Sequence, residues 1–385
     1  MFKKLIDVFF SQEQDFYQNS VDNYFKRDLK KDKEVFDRLR PNDDFGRSIT
    51  QHICQVYPFR KKAIFLNCVG AILFPVVLLW LLFRHRVYIK DDKTSIVCYK
   101  GFNFPGCLPY SIKQEDIRYL TGRDCPYYIK LSDLWFIARF CIRSIRYPFL
   151  VFRLLMKVSR YRPIIDSFHN IEAIAITGEF ESTSSALTQY CHENGIKHYN
   201  FMQGDMFGSP RIAFFHFDKC FVWDQYYVDM FVSFGACPEQ FEVSLPQCLK
   251  KNERCHSEKT IDYIYYIGGY PDEDLHIIRT AIDKLVAKGY VCEIRPHPRW
   301  SDLELVEKIF QGITIQDTNQ VTINDSILMS KKAIGLSSTV LLQAYFNEVN
   351  VVIDDISSPE KYKMLEGYQY IMLNKPHQLL SEITK

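Results

Sequence analysis

No G-x-G-x-x-G segment and no G-x-x-x-x-G-K-[ST] loop occurs anywhere in the 385 residues. A dinucleotide oxidoreductase and a P-loop nucleotidase thereby lose their main support. The twelve cysteines form no C-x-x-C pair and no Cys/His cluster at zinc spacing. They are scattered singly from Cys54 to Cys292, several inside apolar runs, which predicts reduced, mostly buried thiols in a cytosolic protein. No cleavable signal peptide is expected, because the apolar patch at residues 5–10 is too short and no small-residue cleavage site follows it. No repeat at fixed period is visible. Disorder is excluded by a hydrophobic content of 47% with 15% aromatics, a composition that leans toward membrane contact.

The net charge of +2 conceals an asymmetry. Through Arg162 there are 29 Lys/Arg against 16 Asp/Glu, or +13; the remainder has 19 against 30, or −11. A basic first part suits an anionic surface. Residues 63–83 form a run of 21 without a charge, broken only by Asn67, Gly70 and Pro75. Arg60-Lys61-Lys62 and Arg84-His85-Arg86 frame it. The length matches a bilayer core, and a spanning helix, a dip into one leaflet turning near Pro75, and a buried core helix all remain open. Basic residues at both ends leave the orientation unset.

Between residues 131 and 162, Arg139, Arg143, Arg146, Arg153, Lys157 and Arg160 recur at helical intervals, with Pro148 predicted to kink or split the helix. Trp135, Phe136, Phe140, Phe149, Phe152, Leu154, Leu155 and Met156 fill the other positions, and only Asp133 is acidic. This predicts a basic amphipathic helix lying on anionic lipid. A nucleic-acid arm is not expected, since the rest of the chain is acidic.

From Ile171 the pattern changes to apolar strands alternating with helices, the signature of parallel, doubly wound sheets. Strands are predicted at 173–177, 196–202 and 219–223, with helices at 184–192, capped by Ser182 or Thr183, and at 225–234. Residues 238–257 read as a linker. The alternation restarts at 263–267, followed by a helix over 274–288, a strand over 290–294, a helix over 302–310 and a late strand over 349–353. The predicted organisation is a polar helical region at 1–62, a hydrophobic membrane segment at 63–83, an acceptor α/β domain at 84–240 that includes the helix at 131–162, and a nucleotide-donor α/β domain at 259–385.

Two segments carry the chemistry. Arg295-Pro296-His297-Pro298-Arg299 follows one predicted strand, and Gly335-Leu336-Ser337-Ser338-Thr339 ends another and opens a helix over 339–346. Strand ends are where open α/β sheets bind ligands. Arginine forks, hydroxyls and a helix N-terminus suit a phosphate or diphosphate. Gly268-Gly269-Tyr270-Pro271 is a post-strand loop that either approaches a phosphate or merely turns. Asp272-Glu273-Asp274 precedes a helix, where carboxylates cap the N-terminus, so no metal site is expected. His297 also fits a plain loop, Ser337 and Ser338 a helix cap, and Glu179 the cap of the following helix.

From about residue 171 to 376 the chain resembles bacterial GT-B glycosyltransferases of surface-polysaccharide synthesis. The nearest pattern is that of the sialyl- and polysialyltransferase-like enzymes with HP and SS/ST motifs, with the related CDP-glycerol (polyol-phosphate) transferases beside them. The matching segments are Glu179 to Ser185, Asn200 to Asp205, Arg295 to Arg299 and Gly335 to Ala344. The resemblance implies two Rossmann-like domains facing a cleft, joined to an N-terminal helical membrane-associated region. It implies an inverting, metal-independent transfer of a sugar from a nucleotide donor, a CMP-linked sialic acid or related keto sugar, onto a membrane-linked glycan at the cytoplasmic membrane face. His297 with Ser337, Ser338 and Thr339 would hold the leaving phosphate. Arg295, Pro298, Arg299, Gly268, Gly269 and Gln343 complete the expected donor side, and Gln203 with Gly204 lies on the acceptor side. The acceptor's base is sought among Glu179, Asp205 and Glu181, Glu179 ranking first. Gln203 stands where relatives often have His, and Gln343 where they often have Glu. A CDP-polyol phosphotransferase, a UDP-sugar transferase and a catalytically degenerate glycan-binding scaffold are the alternatives.

Overall fold

The structure, a computed structural model, describes residues 33–34, 36–56, 60–84, 94–99, 104–109, 111–120, 127–168, 170–178, 180–246, 249 and 259–385. The apolar patch at 5–10, the candidate base Glu179, and residues 247–248 and 250–257 of the expected linker lie outside the described residues.

The first half comprises α1 (Asp44–Val56), α2 (Arg60–Leu82), β1 (Ile96–Tyr99), β2 (Ile117–Leu120), α3 (Leu131–Arg143), α4 (Pro148–Ser167), β3 (Ala173–Thr177), α5 (Ser184–Glu193), β4 (Lys197–Phe201), β5 (Lys219–Val222), α6 (Gln225–Ser233) and β6 (Phe241–Val243). Its six strands form one parallel sheet in the order β2-β1-β3-β4-β5-β6. Ala173, Ile174, Ala175 and Ile176 are all buried, as expected of a strand covered on both faces. Gly195, with φ of +74°, stops α5 in a conformation that side chains resist. The expected linker is corrected here: residues 241–243 form β6 on the sheet edge, paired in parallel with β5. Three residues are too few to display a period of two.

The second half comprises β7 (Ile261–Ile267), α7 (Asp272–Ala287), β8 (Cys292–Pro296), α8 (Leu303–Ile309), β9 (Thr314–Ile315), α9 (Ile323–Leu328), β10 (Ser330–Gly335), α10 (Thr339–Phe346), β11 (Asn350–Ile353), α11 (Pro359–Gly367) and β12 (Gln378–Leu379). Its parallel sheet has the order β12-β11-β10-β7-β8-β9, which is the doubly wound order with its switch point between β7 and β10. The chain is therefore two parallel-sheet α/β halves. They share one core: Met202, Phe215 and Tyr227 of the first half pack in the same cluster as Leu341, Tyr370 and Met372 of the second. Polar contacts fix the junction, with the Gly208 N–H donating to Tyr368 O at 2.7 Å, the Tyr226 hydroxyl donating to Gln369 O at 2.7 Å, and Lys375 paired with Asp224 at 2.8 Å.

The basic face expected over 131–162 is not presented to solvent as one stripe. Pro148 does split the helix, standing at the first position of α4, where a missing N–H is harmless. The break turns Arg153 and Lys157 inward, and Glu181 accepts from them at 2.8 and 3.1 Å. Arg162 forks onto buried Asp133, with Nε 3.0 Å from each carboxylate oxygen, while Arg139 pairs with Glu193 and Arg143 with Asp43, each at 2.5 Å. Of the expected aromatic anchors, Phe136, Phe140, Phe149 and Phe152 are core residues, and Trp135 is exposed.

Candidate functional site

A cavity of about 320 Å³ opens at the carboxyl ends of β7, β8 and β10, beside the switch point. That volume lies in the range of small-molecule pockets. Gly268 and Gly269 come to it from β7, Arg295, His297 and Pro298 from β8, and Ser337 and Ser338 from β10. Seven of the expected donor-side residues thus meet in one place.

Arg295 forms the most telling part of the wall. It is only 7% exposed, and its guanidinium donates to two neutral oxygens, Gln316 Oε1 at 3.1 Å and Val321 O at 2.9 Å. Among the described residues no carboxylate pairs with it; the nearby Glu293 is engaged by Gln316 Nε2 at 2.8 Å. Burial pulls its pKa below the ordinary value, yet a guanidinium stays protonated at neutral pH. A buried cation without a counter-charge is costly. An arriving anion would remove that cost.

His297 is oriented by its own loop. Its backbone N–H donates to Ile267 O at 2.8 Å and to Ser301 Oγ at 2.8 Å, and its Nδ1 accepts from the Arg299 N–H at 3.1 Å. With Nδ1 accepting, the hydrogen-bond network assigns the proton of the neutral ring to Nε2. Burial first and the Arg299 charge second lower the imidazole's pKa, so the ring at neutral pH is a neutral donor. Ser301 was not anticipated. Its hydroxyl also reaches Ile267 O at 3.0 Å and Gly268 O at 3.1 Å, stapling the loops after β7 and β8 together. Gly269 is required by the same closeness, since a Cβ there would stand 3.2 Å from Trp300 O.

Ser337 is exposed on the cavity wall, while Ser338 caps α10, its Oγ accepting from the Val340 N–H at 3.2 Å. Two further residues escaped the sequence reading. Lys361 on α11 lines the cavity 3.5 Å from Asp274 Oδ2, and Trp300 stands on its rim, 68% exposed. No sequence spacing links either to the phosphate-type motifs. No Asp or Glu lines the cavity among the described residues.

Several expected residues lie elsewhere. Arg299 is exposed and acts on the site only through His297. Gln343 is buried and bonded to Asn324 of α9 and to Asn347, away from the wall. Thr339 turns toward the other half, where its Oγ1 accepts from the Asp205 N–H at 3.2 Å. Gly204 adjoins the same hydroxyl, and Gln203 neighbours Gly178. Glu181 is the partner of Arg153 and Lys157 described above, which removes it from the free carboxylates.

Asp205 is different. Tyr227 donates to its Oδ1 at 2.5 Å, whereas Oδ2 is buried without a partner. Burial raises its pKa to about 7, opposed by the Tyr227 hydrogen bond and by the Met206 N–H. The result is a carboxyl group poised near neutrality at the junction of the two halves, on the residue whose backbone N–H meets Thr339 of α10.

The fold and site together define a two-domain α/β protein with a cation-lined cavity at the switch point of its second sheet. No family model and no curated protein matches the chain. Solved structures similar to it include S. aureus MnaA with UDP (11% identity, 72% of this chain and 88% of that one, TM-score 0.41). UDP-GlcNAc 2-epimerase from Neisseria meningitidis bound to UDP-GlcNAc is similar at 8% identity, covering 73% and 92%, with TM-score 0.41. The wall teichoic acid polymerase TagF is similar at 13% identity, covering 77% and 80%, with TM-score 0.42. Likeness at this level says nothing about donor or reaction.

Proposed function

We propose that the chain is an inverting glycosyltransferase that takes a sugar from a cytidine-nucleotide donor and places it on a lipid-linked glycan at the cytoplasmic face of a membrane. The observation that carries this reading is Arg295, a buried guanidinium with no carboxylate partner among the described residues, set in a cavity wall that also offers the His297 Nε2–H, the Ser337 hydroxyl and the Lys361 ammonium. In the transfer, the acceptor oxygen bonds to the anomeric carbon as the bond from that carbon to the phosphate oxygen breaks. The departing phosphate gathers negative charge, and preorganised donors stabilise charge that grows in the transition state. Side chains meet the phosphate, so no metal is assigned.

The acceptor's proton passes to Asp205, the free carboxylate among the described candidates. Its Oδ2 is enclosed at the junction, so the acceptor reaches it when the Asp205–Thr339 contact parts. Lys361 supplies a second cation and favours one other reading, a CDP-polyol phosphotransferase, in which a diphosphate occupies the cavity and a polyol phosphate is transferred.

The test is a thermal-shift screen with CMP, CDP, UDP and GDP on the wild type and on Arg295→Met. A nucleotide at a hundredfold excess over its Kd adds about 2.7 kcal/mol of stability, and the cytidine nucleotides should give this shift only in the wild type. Equal shifts in both proteins, or none, would defeat the assignment. Mass analysis of the product distinguishes sugar from polyol phosphate, and binding without any turnover identifies a degenerate scaffold.

A further inference from the structure

Two helices on the outside of the first half carry apolar stripes that nothing among the described residues covers. On α2, Phe65, Ile72, Val76, Leu79 and Phe83 are 49% (Val76) to 86% (Phe83) exposed, and their steps of seven, four, three and four place them on one helical face. On α3 and the turn after it, Leu131, Trp135, Ile142 and Ile145 are 69% to 75% exposed, with exposed Ala138 completing steps of four, three, four and three. Large apolar side chains in such numbers mark an interaction surface.

The two stripes belong to one layer. Asn67 Oδ1 accepts from the Phe149 N–H at 3.1 Å, just beyond the end of α3, and Leu81 O accepts from the Ile129 N–H at 3.4 Å, just before its start. The second part of α2 packs along α4, and α3 packs on α4 as well, so that α4 is buried almost throughout. The opposite face of α2 is committed to the protein. Val77 and Leu81 are fully buried, and a Cβ on Gly70 would stand 2.8 Å from Phe149 Cα. A spanning orientation would strip this face from α4.

The charge around the stripes selects the partner. No acidic residue occurs between Asp44 and Asp91 or between Asp133 and Asp166. Arg146 is exposed beside the α3 stripe, where Arg143 is held by Asp43, and Lys62 and Arg84 bound the α2 stripe. A second copy would set one cationic rim against another, whereas an anionic bilayer leaflet offers apolar chains beneath negative headgroups. We infer that α2 and α3 form a single in-plane docking surface, dipping into one leaflet of an anionic membrane without crossing it. This deepens the membrane location in the function proposed above and stands independently of the nucleotide cavity.

The experiment is flotation of the full chain with phosphatidylglycerol-containing and purely phosphatidylcholine vesicles, for the wild type and for Leu79→Glu/Ile142→Glu. The wild type should float with the anionic vesicles, at least tenfold more than the double variant. It should also be released by alkaline carbonate, and Trp135 should be quenched by brominated acyl chains. Circular dichroism and the nucleotide thermal shift verify that the variant is folded with its cavity intact. Equal flotation of both proteins overturns the surface. Wild type that stays in the supernatant as a dimer overturns the partner, and retention after carbonate overturns the in-plane orientation. Loss of nucleotide binding with flotation unchanged would count against the cavity alone.

Discussion

Replacing Asp205 by Asn tests the chemistry and the electrostatics of the junction at once. The folded carboxyl has a pKa of about 7, against about 3.9 for an unfolded aspartate. Between those values the folded protein holds a proton that the unfolded chain has released, so stability falls as pH rises from about 4 to about 7. At about 1.4 kcal/mol per pH unit, the loss is at most on the order of 4 kcal/mol. Asparagine imitates the protonated group at every pH and keeps the oxygen that receives the Tyr227 hydroxyl. Urea unfolding should therefore show the two proteins nearly equal below about pH 3.5, and the variant more stable by about 1.5 kcal/mol at pH 5 and by up to about 4 kcal/mol at pH 8. Turnover should move the other way. The wild type gains activity as pH rises through about 7, because the ionised form takes the acceptor's proton, and the variant loses about 10²- to 10⁴-fold at all pH values with donor affinity unchanged. Parallel stability profiles would refute the buried-carboxylate argument. Full turnover in the variant would move the base elsewhere, and a fall in donor affinity would make Asp205 a latch on α10.

Glu181→Gln should cost about 2–3 kcal/mol in urea unfolding, below the value for a fully buried pair because the carboxylate is partly exposed. It should leave the nucleotide thermal shift as it is, and an unchanged unfolding midpoint would show that the pairs with Arg153 and Lys157 contribute nothing. Ser301→Ala removes the staple between the β7 and β8 loops. About 1 kcal/mol of stability and roughly tenfold in nucleotide affinity should go with it, and titration calorimetry showing wild-type affinity would mean that the loops hold their shape unaided.

Elements under apolar runs were legible in both halves: the strand at 173–177 and the helix at 339–346 have in the structure the bounds that their sequence predicts. β1 and β2 were not read, since Ile96–Tyr99 and Ile117–Leu120 are four residues each, and they join the sheet through β1, whose pairing with β3 is decided by a partner far along the chain. The phosphate-type residues at the ends of β8 and β10 were found because residue type and strand end coincide locally. Lys361 and Trp300, which line the cavity, and Ser301, which ties its loops together, were missed because each comes from a loop or helix that announces nothing.

The larger gap concerns charge. A sequence shows where cations stand and not which of them are neutralised. Arg153 and Lys157 recur at helical spacing and read as part of a lipid-facing stripe, yet their partner Glu181 sits 28 and 24 residues away in the chain and draws them inward. Arg295 reads as one of two equivalent arginines flanking a histidine, yet it alone of the two enters the cavity wall, held by an amide and a carbonyl oxygen. The surface inferred to face lipid is accordingly the apolar stripes of α2 and α3, and the proposed anion site is the place where a buried guanidinium meets no carboxylate among the described residues. Neutralisation is a property of the folded pairings, and it sorts structural cations from binding ones in a way that spacing cannot.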